Sequence, residues 1–376
     1  PSLPIERGRP GPALLAHVLV SKYCDHAPLY RQSGIYARAG VELDRSTLAD
    51  WVGQGAALLQ PLADAITRHV KAGSALHADD TPVPVLDPGR RRTKTGRLWV
   101  LVRDERPCAG PAPPAVTYLY SPDRKGEHAQ ALLDGCTGFL HADGYAGFDR
   151  LYKPAKLASL NEVGCWAHAR RKLYDVHAAT NSPLAKEALE RIGQLFAIEA
   201  DINGHAPAYR LAARQARSLP KLDALRTFLE QSLATISRKS SLAGAIRYSL
   251  TRWSALVCFA SDGHLEMTNN AAERAIRPLA LGRKNSYDRC QDVEVKGTVP
   301  LLAATSFAVD GHPVELRTSS YFDGRSNSYS GIGYPMMTVR RKAASIWLRA
   351  SDGAGPNSCP RIPSTALDAL STAGWR

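Results

Sequence analysis

A change of residue pattern along the chain restricts its fold more than any other feature. Between residues 75 and 170, short runs rich in Leu, Val, Trp and Tyr are bounded by Gly, Pro, Asp and Ser, which is typical of β-strands. The runs are SALHADDT, GRLWVLVRD, AVTYLYS, GFLHADG and EVGCWAH. The segment RKGEHAQALLDG, between the third and fourth runs, predicts a helix, and another helix is expected after the fifth strand. This order predicts an α/β fold in which hairpins can link the middle strands.

Helical patterns lie on both sides of this region. Residues 12–70 carry apolar side chains at helical spacing, and residues 184–260 contain two long amphipathic stretches. After residue 286 the strong periodicity is lost. The predicted organisation is therefore a helical segment at 1–70, an α/β core at 71–180, a helical insertion at 181–262, a helix of the core at 263–285, and an unassigned segment at 286–376.

The second half of the N-terminal segment allows two interpretations. Asp44, Ser46 or Thr47 could cap a short helix that carries Arg45 near its start, a pattern compatible with a helix-turn-helix that reads DNA. Packing of three helices without a special function explains the same pattern equally well. Both interpretations stay open at the level of sequence.

The triplet His-Ala-Asp occurs twice, and each copy follows an apolar run and precedes a predicted turn. Its aspartates are Asp79 and Asp143, and Asp80 follows the first of them directly. In an α/β sheet, carboxylates at the carboxyl ends of strands face the crevice where ligands bind, and two of them repel each other unless a cation lies between. Mg²⁺ prefers such oxygen ligands. The alternative is that these aspartates only end strands and begin turns.

A third acidic residue occurs near the start of a predicted helix. Asn269 and Asn270 are placed to cap this helix, and Glu273 lies in its first turn. The spacing from Asn270 to Glu273 is close to a capping box, which would explain the glutamate by helix-start chemistry alone. Basic residues follow: Arg274, Arg277, Arg283 and Lys284. A helix with one glutamate and several arginines also suits a site where a metal and a phosphate meet.

The net charge of +13 and the pI near 9.5 predict a polyanionic partner, above all nucleic acid. A basic surface without such a partner is the alternative. No apolar run is long enough for a membrane span, and the first residues lack the order of a secretory signal, so we expect a cytosolic protein with no membrane partner.

The seven cysteines are scattered and form no C-x-x-C pair, which indicates neither a zinc ribbon nor a disulfide framework. Cys165 and His168 have a C-x-x-H spacing. Because no second pair completes a zinc site, packing at the end of a strand is the favoured interpretation of these two residues.

Six segments together carry a resemblance to a known family. They are HADDTPV, GRLWVLVRD, SPDRKGEHA, HADGYAGFDRLY, CWAHARRKLYDVH and TNNAAERAIRPLALGRKN. Over roughly residues 3–285 the chain resembles the bacterial insertion sequence 66 (IS66) family of transposases. The resemblance implies a ribonuclease-H-like mixed sheet with a helical insertion, preceded by a small helical domain. It also implies a DDE active site of Asp79, Asp143 and Glu273, with Asp80 the weaker candidate, that binds Mg²⁺ or Mn²⁺.

The activity implied by this family is the cutting and joining of the ends of a mobile element. The partners would be double-stranded DNA, namely transposon ends and target DNA, and a second copy of the chain in a homo-oligomer on DNA. The location would be the bacterial cytoplasm, in association with the nucleoid. The side chains expected to hold phosphates are Arg170, Arg171, Lys172, Arg274, Arg277 and Arg283.

The chain also departs from the family pattern. The helical and cysteine-containing N-terminal region of the family is absent, and the sequence after Asn285 does not match. We therefore expect a chain truncated at its N-terminus and altered after residue 285, by a frameshift or fusion near Ser286, with little regular structure at 286–376. Two alternatives follow for function: a catalytically inactive relic that binds DNA, and a metal-dependent nuclease of the same fold.

Overall fold

The computed structural model describes residues 5, 10–87, 92–149, 151–152, 160–286, 306–309 and 312–315. The strands are β1 (Ala75–Asp87), β2 (Arg92–Arg103), β3 (Ala115–Ser121), β4 (Gly138–Ala142), β5 (Leu160–Gly164), β6 (Ser306–Val309) and β7 (His312–Glu315). The helices are α1 (Pro12–Tyr23), α2 (Leu29–Arg38), α3 (Arg45–Lys71), α4 (Gly126–Leu133), α5 (Trp166–Thr180), α6 (Pro183–Asp201), α7 (Pro207–Ala213), α8 (Leu219–Thr235), α9 (Ser241–Thr251), α10 (Trp253–Val257) and α11 (Asn270–Ser286).

The central sheet has the strand order β3-β2-β1-β4-β5. Its first three strands form an antiparallel meander, whereas β4 and β5 run parallel to β1. The crossover from β3 to β4 contains α4, as the sequence predicts. This mixed sheet, followed by the helical insertion and preceded by helices, confirms the predicted ribonuclease-H-like fold class.

The first strand is longer than the sequence pattern predicts, and it does not end at the two aspartates. Pairing of β1 with β4 ends at His77, but pairing with β2 continues to Asp87. Asp79 therefore lies inside β1, at the point where the strand separates from β4. Of the two aspartates in the repeated triplet, Asp143 directly follows the end of a strand and Asp79 does not. The expectation of a turn after Asp79 and Asp80 was wrong, because the β2 ladder holds the strand extended.

The sheet separates two layers of helices. One face packs Leu76, Ala78 and Leu140 against Ile66 and Val70 of α3. The opposite face packs strand side chains against α11 and includes these buried apolar residues: Val83, Leu98, Val100, Val116, Tyr118, Ala272, Ile276 and Leu279. Because side chains alternate along a strand, the residues next to Ala78 face α11. Asp79 is thus placed on the α11 side of the sheet.

The N-terminal segment consists of α1, α2 and the long helix α3. Leu48 and Trp51 of α3 pack with Val18 of α1, whereas the other end of α3 packs on the sheet. The expected short helix is thus the start of a 27-residue one, because α3 has apolar contacts along its whole length. Asp44 precedes α3 without a side-chain capping hydrogen bond. A DNA-reading role of this segment stays a prediction.

The predicted insertion at 181–262 is helical and contains a buried ion pair. The guanidinium of Arg214 is fully buried and contacts the carboxylate of Glu199 at 2.6 Å and 2.9 Å. It also donates hydrogen bonds to the carbonyl oxygens of Phe259, Asp262 and Leu265. These contacts join α6 to the loop that leads into α11.

Most of the segment 286–376 lies outside the described residues. Its described part consists of Ser286, where α11 ends, and the antiparallel pair of β6 and β7. The prediction of little regular structure in this segment stays a prediction. Within the part of the chain that the structure describes, no helix is both long and apolar enough to span a bilayer.

Candidate active site

Two parallel strands bring Asp79 and Asp143 side by side. The last paired residues of β1 and β4 are His77 and His141. Asp79 lies two residues beyond His77 and therefore on the same face of β1. Asp143 lies two residues beyond His141, directly after the end of β4, and its charge acts on Asp79. The repeated His-Ala-Asp triplet thus reflects two strands in matched register, which place their carboxylates at one edge of the crevice.

The two histidines form a buried stack beneath these carboxylates. Their ring centroids are 4.1 Å apart with an interplanar angle of 15°. Nδ1 of His141 lies 2.9 Å from the carbonyl oxygen of Leu76, and its Nε2 accepts a hydrogen bond from the backbone N–H of Glu266. Burial lowers the pKa of His141 to about 4 and that of His77 well below its ordinary value. The stack is therefore neutral and supports the site by packing.

The carboxylate of Asp79 lies in an environment that disfavours its charge. Burial, together with the negative charges of Asp143, Asp80 and Glu273, raises its pKa from 3.8 to about 7, although the backbone N–H of Asp80 donates to it at 2.7 Å. Among the described residues, no lysine or arginine forms an ion pair with Asp79 or Asp143. The charges of Asp143 and Glu273 act on Asp79, so the three predicted acids lie in one region, but their carboxylate oxygens are not all within 4.8 Å of one another. Arg124 acts electrostatically on Asp143 without forming an ion pair with it.

Asp80, the weaker candidate, has a different environment. Its side chain is 2% exposed and forms ion pairs with Arg97 at 2.9 Å and with Arg124 at 2.7 Å. Arg124 donates to both carboxylate oxygens and stacks on the ring of Tyr145. Because two guanidinium groups already satisfy this carboxylate, Asp80 fixes the surroundings of the crevice, and Asp79 remains available for a ligand.

Asn269 fixes the start of α11 against β1. Its side chain is fully buried, donates to the carbonyl oxygen of Ala78 at 2.8 Å and contacts Nδ1 of His77 at 3.3 Å. Its own carbonyl accepts the backbone N–H groups of Ala272 and Glu273. The residue therefore connects the strand that carries Asp79 to the first turn that carries Glu273. The sequence predicted that Asn269 caps α11. Its backbone carbonyl forms the hydrogen bonds at the helix start, because its side chain is hydrogen-bonded to β1.

The turn after β4 holds Asp143 in place. Its side chain accepts the backbone N–H of Tyr145 at 3.1 Å, and its carbonyl oxygen accepts the hydroxyl of Tyr248, from α9, at 3.2 Å. Arg252 donates to the carbonyl of Gly144. The helical insertion therefore contacts the turn that follows the second aspartate.

The predicted phosphate-binding residues lie on two helices next to the acids. Arg170, Arg171 and Lys172 are exposed on α5, and the ammonium of Lys172 stacks on the ring of Tyr248 at 4.6 Å. Arg274 and Arg277 are exposed on α11. Arg283 belongs to the same helix, but its side chain lies outside the described residues.

The donor chemistry of this cluster fits the divalent cations of the predicted family. Asp79, Asp143 and Glu273 offer only carboxylate oxygens, the ligands that Mg²⁺ and Mn²⁺ prefer. A cation would also relieve the repulsion that raises the pKa of Asp79. These three residues are therefore the candidates to hold it.

Several residues of the site were not found from the sequence. Arg97 and Arg124 lie on β2 and after β3, and Tyr248 and Arg252 belong to the insertion. No local spacing relates them to the aspartates. The signal for His77 and His141 was present in the repeated triplet, but the prediction used only its aspartates.

The mixed sheet, the preceding helices and the helical insertion define a ribonuclease-H-like domain of the kind that DDE transposases have. The chain belongs to the Transposase IS66 family, which matches residues 7–292 and thus extends past the predicted break at 285. DDE transposases as a class use divalent metals and bind DNA.

Similar proteins occur in Sinorhizobium fredii (strain NBRC 101917 / NGR234). The uncharacterized protein y4qI is 42% identical over 286 residues, which cover 75% of this chain and 53% of that protein. The uncharacterized protein y4hP is 43% identical over 292 residues, which cover 74% of this chain and 52% of that protein. The chain spans about half the length of these curated relatives.

Proposed function

We propose that this protein is a DNA transposase that cuts the ends of a mobile element and joins them to target DNA. Asp79, Asp143 and Glu273 would be its catalytic residues and would hold Mg²⁺ or Mn²⁺. The observation that carries this proposal is the geometry of the sheet: β1 and β4 pair in parallel up to His77 and His141, two residues before Asp79 and Asp143, and the Asn269–Ala78 hydrogen bond ties the start of α11 to β1. Burial and the negative charges of Asp143, Asp80 and Glu273 also raise the pKa of Asp79. Buried carboxylates that repel one another and have strongly shifted pKa values occur mostly at functional sites.

The bound cations would supply Lewis-acid activation of the attacking hydroxyl and charge neutralisation at the leaving oxygen. The chain itself positions the acids. Asn269 sets the distance between α11 and β1, and the paired strands set the distance between the two aspartates. Arg97 and Arg124 neutralise Asp80, so that its charge does not add fully to the repulsion at Asp79.

Double-stranded DNA is the proposed partner, and the exposed basic residues of α5 and α11 are its proposed contacts. Arg170, Arg171 and Lys172 lie on the helix that begins immediately after β5, next to the carboxylates. Arg274 and Arg277 follow Glu273 on α11. With the net charge of +13, this arrangement supports binding of the phosphate backbone near the reacting bonds. We propose that the protein acts on the bacterial chromosome as a homo-oligomer.

A strand-transfer assay tests this proposal. Purified protein is incubated with labelled transposon-end DNA, a target plasmid and Mg²⁺, and cut and joined products are separated by size. We expect both products from the natural protein, and neither from Asp79→Asn, Asp143→Asn or Glu273→Gln. DNA binding should persist in all three variants.

The outcomes distinguish the alternatives that the sequence leaves open. Cutting without joining would indicate a nuclease of the same fold. A shifted but intact DNA band would indicate an inactive relic that still binds DNA. Full cleavage by Asp79→Asn would show that Asp79 is not a catalytic residue.

A further inference from the structure

A group of metal-ligand side chains of a different chemistry shares Glu273 with the three carboxylates. Sγ of Cys165, a ring nitrogen of His168 and a carboxylate oxygen of Glu273 all lie within 4.8 Å of one another. Nδ1 of His168 is 3.7 Å from Oε1 of Glu273. The first two residues come from the start of α5, and the third from the first turn of α11. The partner that the C-x-x-H spacing lacked in sequence is therefore supplied by another helix.

The chemistry of this group differs from that of the carboxylate cluster. A thiolate, an imidazole and a carboxylate form a ligand set for Zn²⁺, whereas Mg²⁺ takes oxygen ligands. Ligand distances of about 2.0 to 2.3 Å in a tetrahedral site place the donor atoms roughly 3.3 to 3.8 Å apart. The 3.7 Å between Nδ1 of His168 and Oε1 of Glu273 falls in this range. All three donor atoms lie within 4.8 Å of one another, so small side-chain rotations would bring them to these distances.

The hydrogen bonds around the group leave its donor atoms available. Nδ1 of His168 is shielded from solvent and has no hydrogen-bond partner among the described residues. Sγ of Cys165 accepts a hydrogen bond from the backbone N–H of Asn269 at 3.2 Å. Hydrogen bonds from neighbouring groups to a metal ligand fix its orientation in the same way. Burial raises the pKa of the Cys165 thiol, and the backbone N–H groups at the start of α5 oppose this effect.

We propose that Cys165, His168 and Glu273 form a binding site for a thiophilic divalent cation of the Zn²⁺ class, and that this cation competes with the catalytic metal for Glu273. On binding, the cation replaces the thiol proton of Cys165, which passes to the buffer. The competition rests on the proposed function, because it requires Glu273 to be a ligand of the catalytic metal. The existence of the Zn²⁺-class site does not depend on the proposed function.

Co²⁺, a coloured substitute for Zn²⁺, tests the site in the purified full chain. We expect one Co²⁺ per chain with a thiolate-to-cobalt absorption band, which Zn²⁺ removes by displacement. The band should be lost in Cys165→Ser and retained in the matched control Cys258→Ser, whose thiol lies outside the group. Glu273→Gln should lower the Co²⁺ affinity by at least about tenfold. Absence of the band in the natural protein, or its persistence in Cys165→Ser, overturns the site and leaves only a His168–Glu273 ion pair.

Mg²⁺ tests the competition without any need for cleavage. In the natural protein, rising Mg²⁺ should raise the apparent Kd for the Co²⁺ that produces the band. In Asp79→Asn the band should persist, because Asp79 is not a ligand of this site, but the effect of Mg²⁺ should be lost. A Kd that does not respond to Mg²⁺ in the natural protein overturns the competition. A thiolate band in a protein that neither cuts nor joins DNA supports the site and counts against the proposed function alone.

Discussion

The side-chain amide of Asn269 donates a hydrogen bond to the carbonyl oxygen of Ala78, the residue directly before Asp79. This single contact joins two elements that are remote in sequence, namely the start of α11 and the middle of β1. It is reinforced by the contact between Asn269 and the ring of His77. The position of Glu273 relative to Asp79 therefore depends on a residue that contacts neither DNA nor the catalytic metal in the proposed mechanism.

Replacement of Asn269 should impair the positioning of Glu273 without changing DNA binding. In Asn269→Ala the buried carbonyl of Ala78 loses its partner, which should lower the free energy of unfolding by about 1 to 3 kcal/mol in urea denaturation. Cleavage should fall by roughly 100-fold because Glu273 loses its alignment. DNA affinity should not change. Asn270→Ala is the matched control and should have a small effect on both quantities, and equal cleavage by both variants would contradict the positioning role.

The two neighbouring aspartates should affect stability in opposite directions. The pKa of Asp79 is raised from 3.8 to about 7, so the folded state binds more protons than the unfolded state between these values, and stability falls as pH rises through that window. Asp79→Asn should remove this loss, which is up to about 4 kcal/mol at neutral pH. Thermal unfolding of metal-free protein from pH 4 to 8 measures the effect. Asp80→Asn should instead destabilise the protein, because Arg97 and Arg124 lose their partner.

The basic residues of α5 should determine how DNA binding depends on salt. Each neutralised phosphate contributes a slope of about −0.9 to the log-log plot of affinity against salt, so replacing both Arg170 and Arg171 by Gln should reduce its magnitude by up to about 2. Fluorescence anisotropy over a salt series measures this slope. The matched control replaces Arg217 and Arg226, which form ion pairs on the insertion. An equal reduction in the control would assign the effect to net charge alone.

The buried ion pair of the insertion should contribute strongly to stability. Arg214→Met leaves the carboxylate of Glu199 and three carbonyl oxygens without this donor, and we expect a loss of about 3 to 5 kcal/mol in the free energy of unfolding. The exposed pair of Arg226 and Glu230 is the control, and Arg226→Met should cost less than about 1 kcal/mol. If urea denaturation gave similar losses in the free energy of unfolding for Arg214→Met and Arg226→Met, burial would not determine how much these ion pairs contribute to stability.

The local sequence pattern was sufficient to predict most helices and strands of the core and to select Asp79 and Asp143 as candidate site residues. The period of two in the strands, together with the repeated triplet, indicated that Asp79 and Asp143 occupy equivalent positions of two strands. That these strands are neighbours was decided by the sheet. The same pattern failed at the end of β1, because pairing with β2, and not the aspartates, determines where that strand stops.

Tertiary structure decided the remaining relationships. The sequence placed Glu273 in the first turn of a helix, but only the packing of α11 on the sheet brings it near Asp79. Hydrogen bonds from Asn269 to Ala78 and from Tyr118 to Ala275 hold this packing. Tertiary packing also brings Arg97 and Arg124 to Asp80. It likewise brings together Cys165, His168 and Glu273. Periodicity reports which face of an element is buried, whereas the partners of a buried polar group are selected when distant elements close around it.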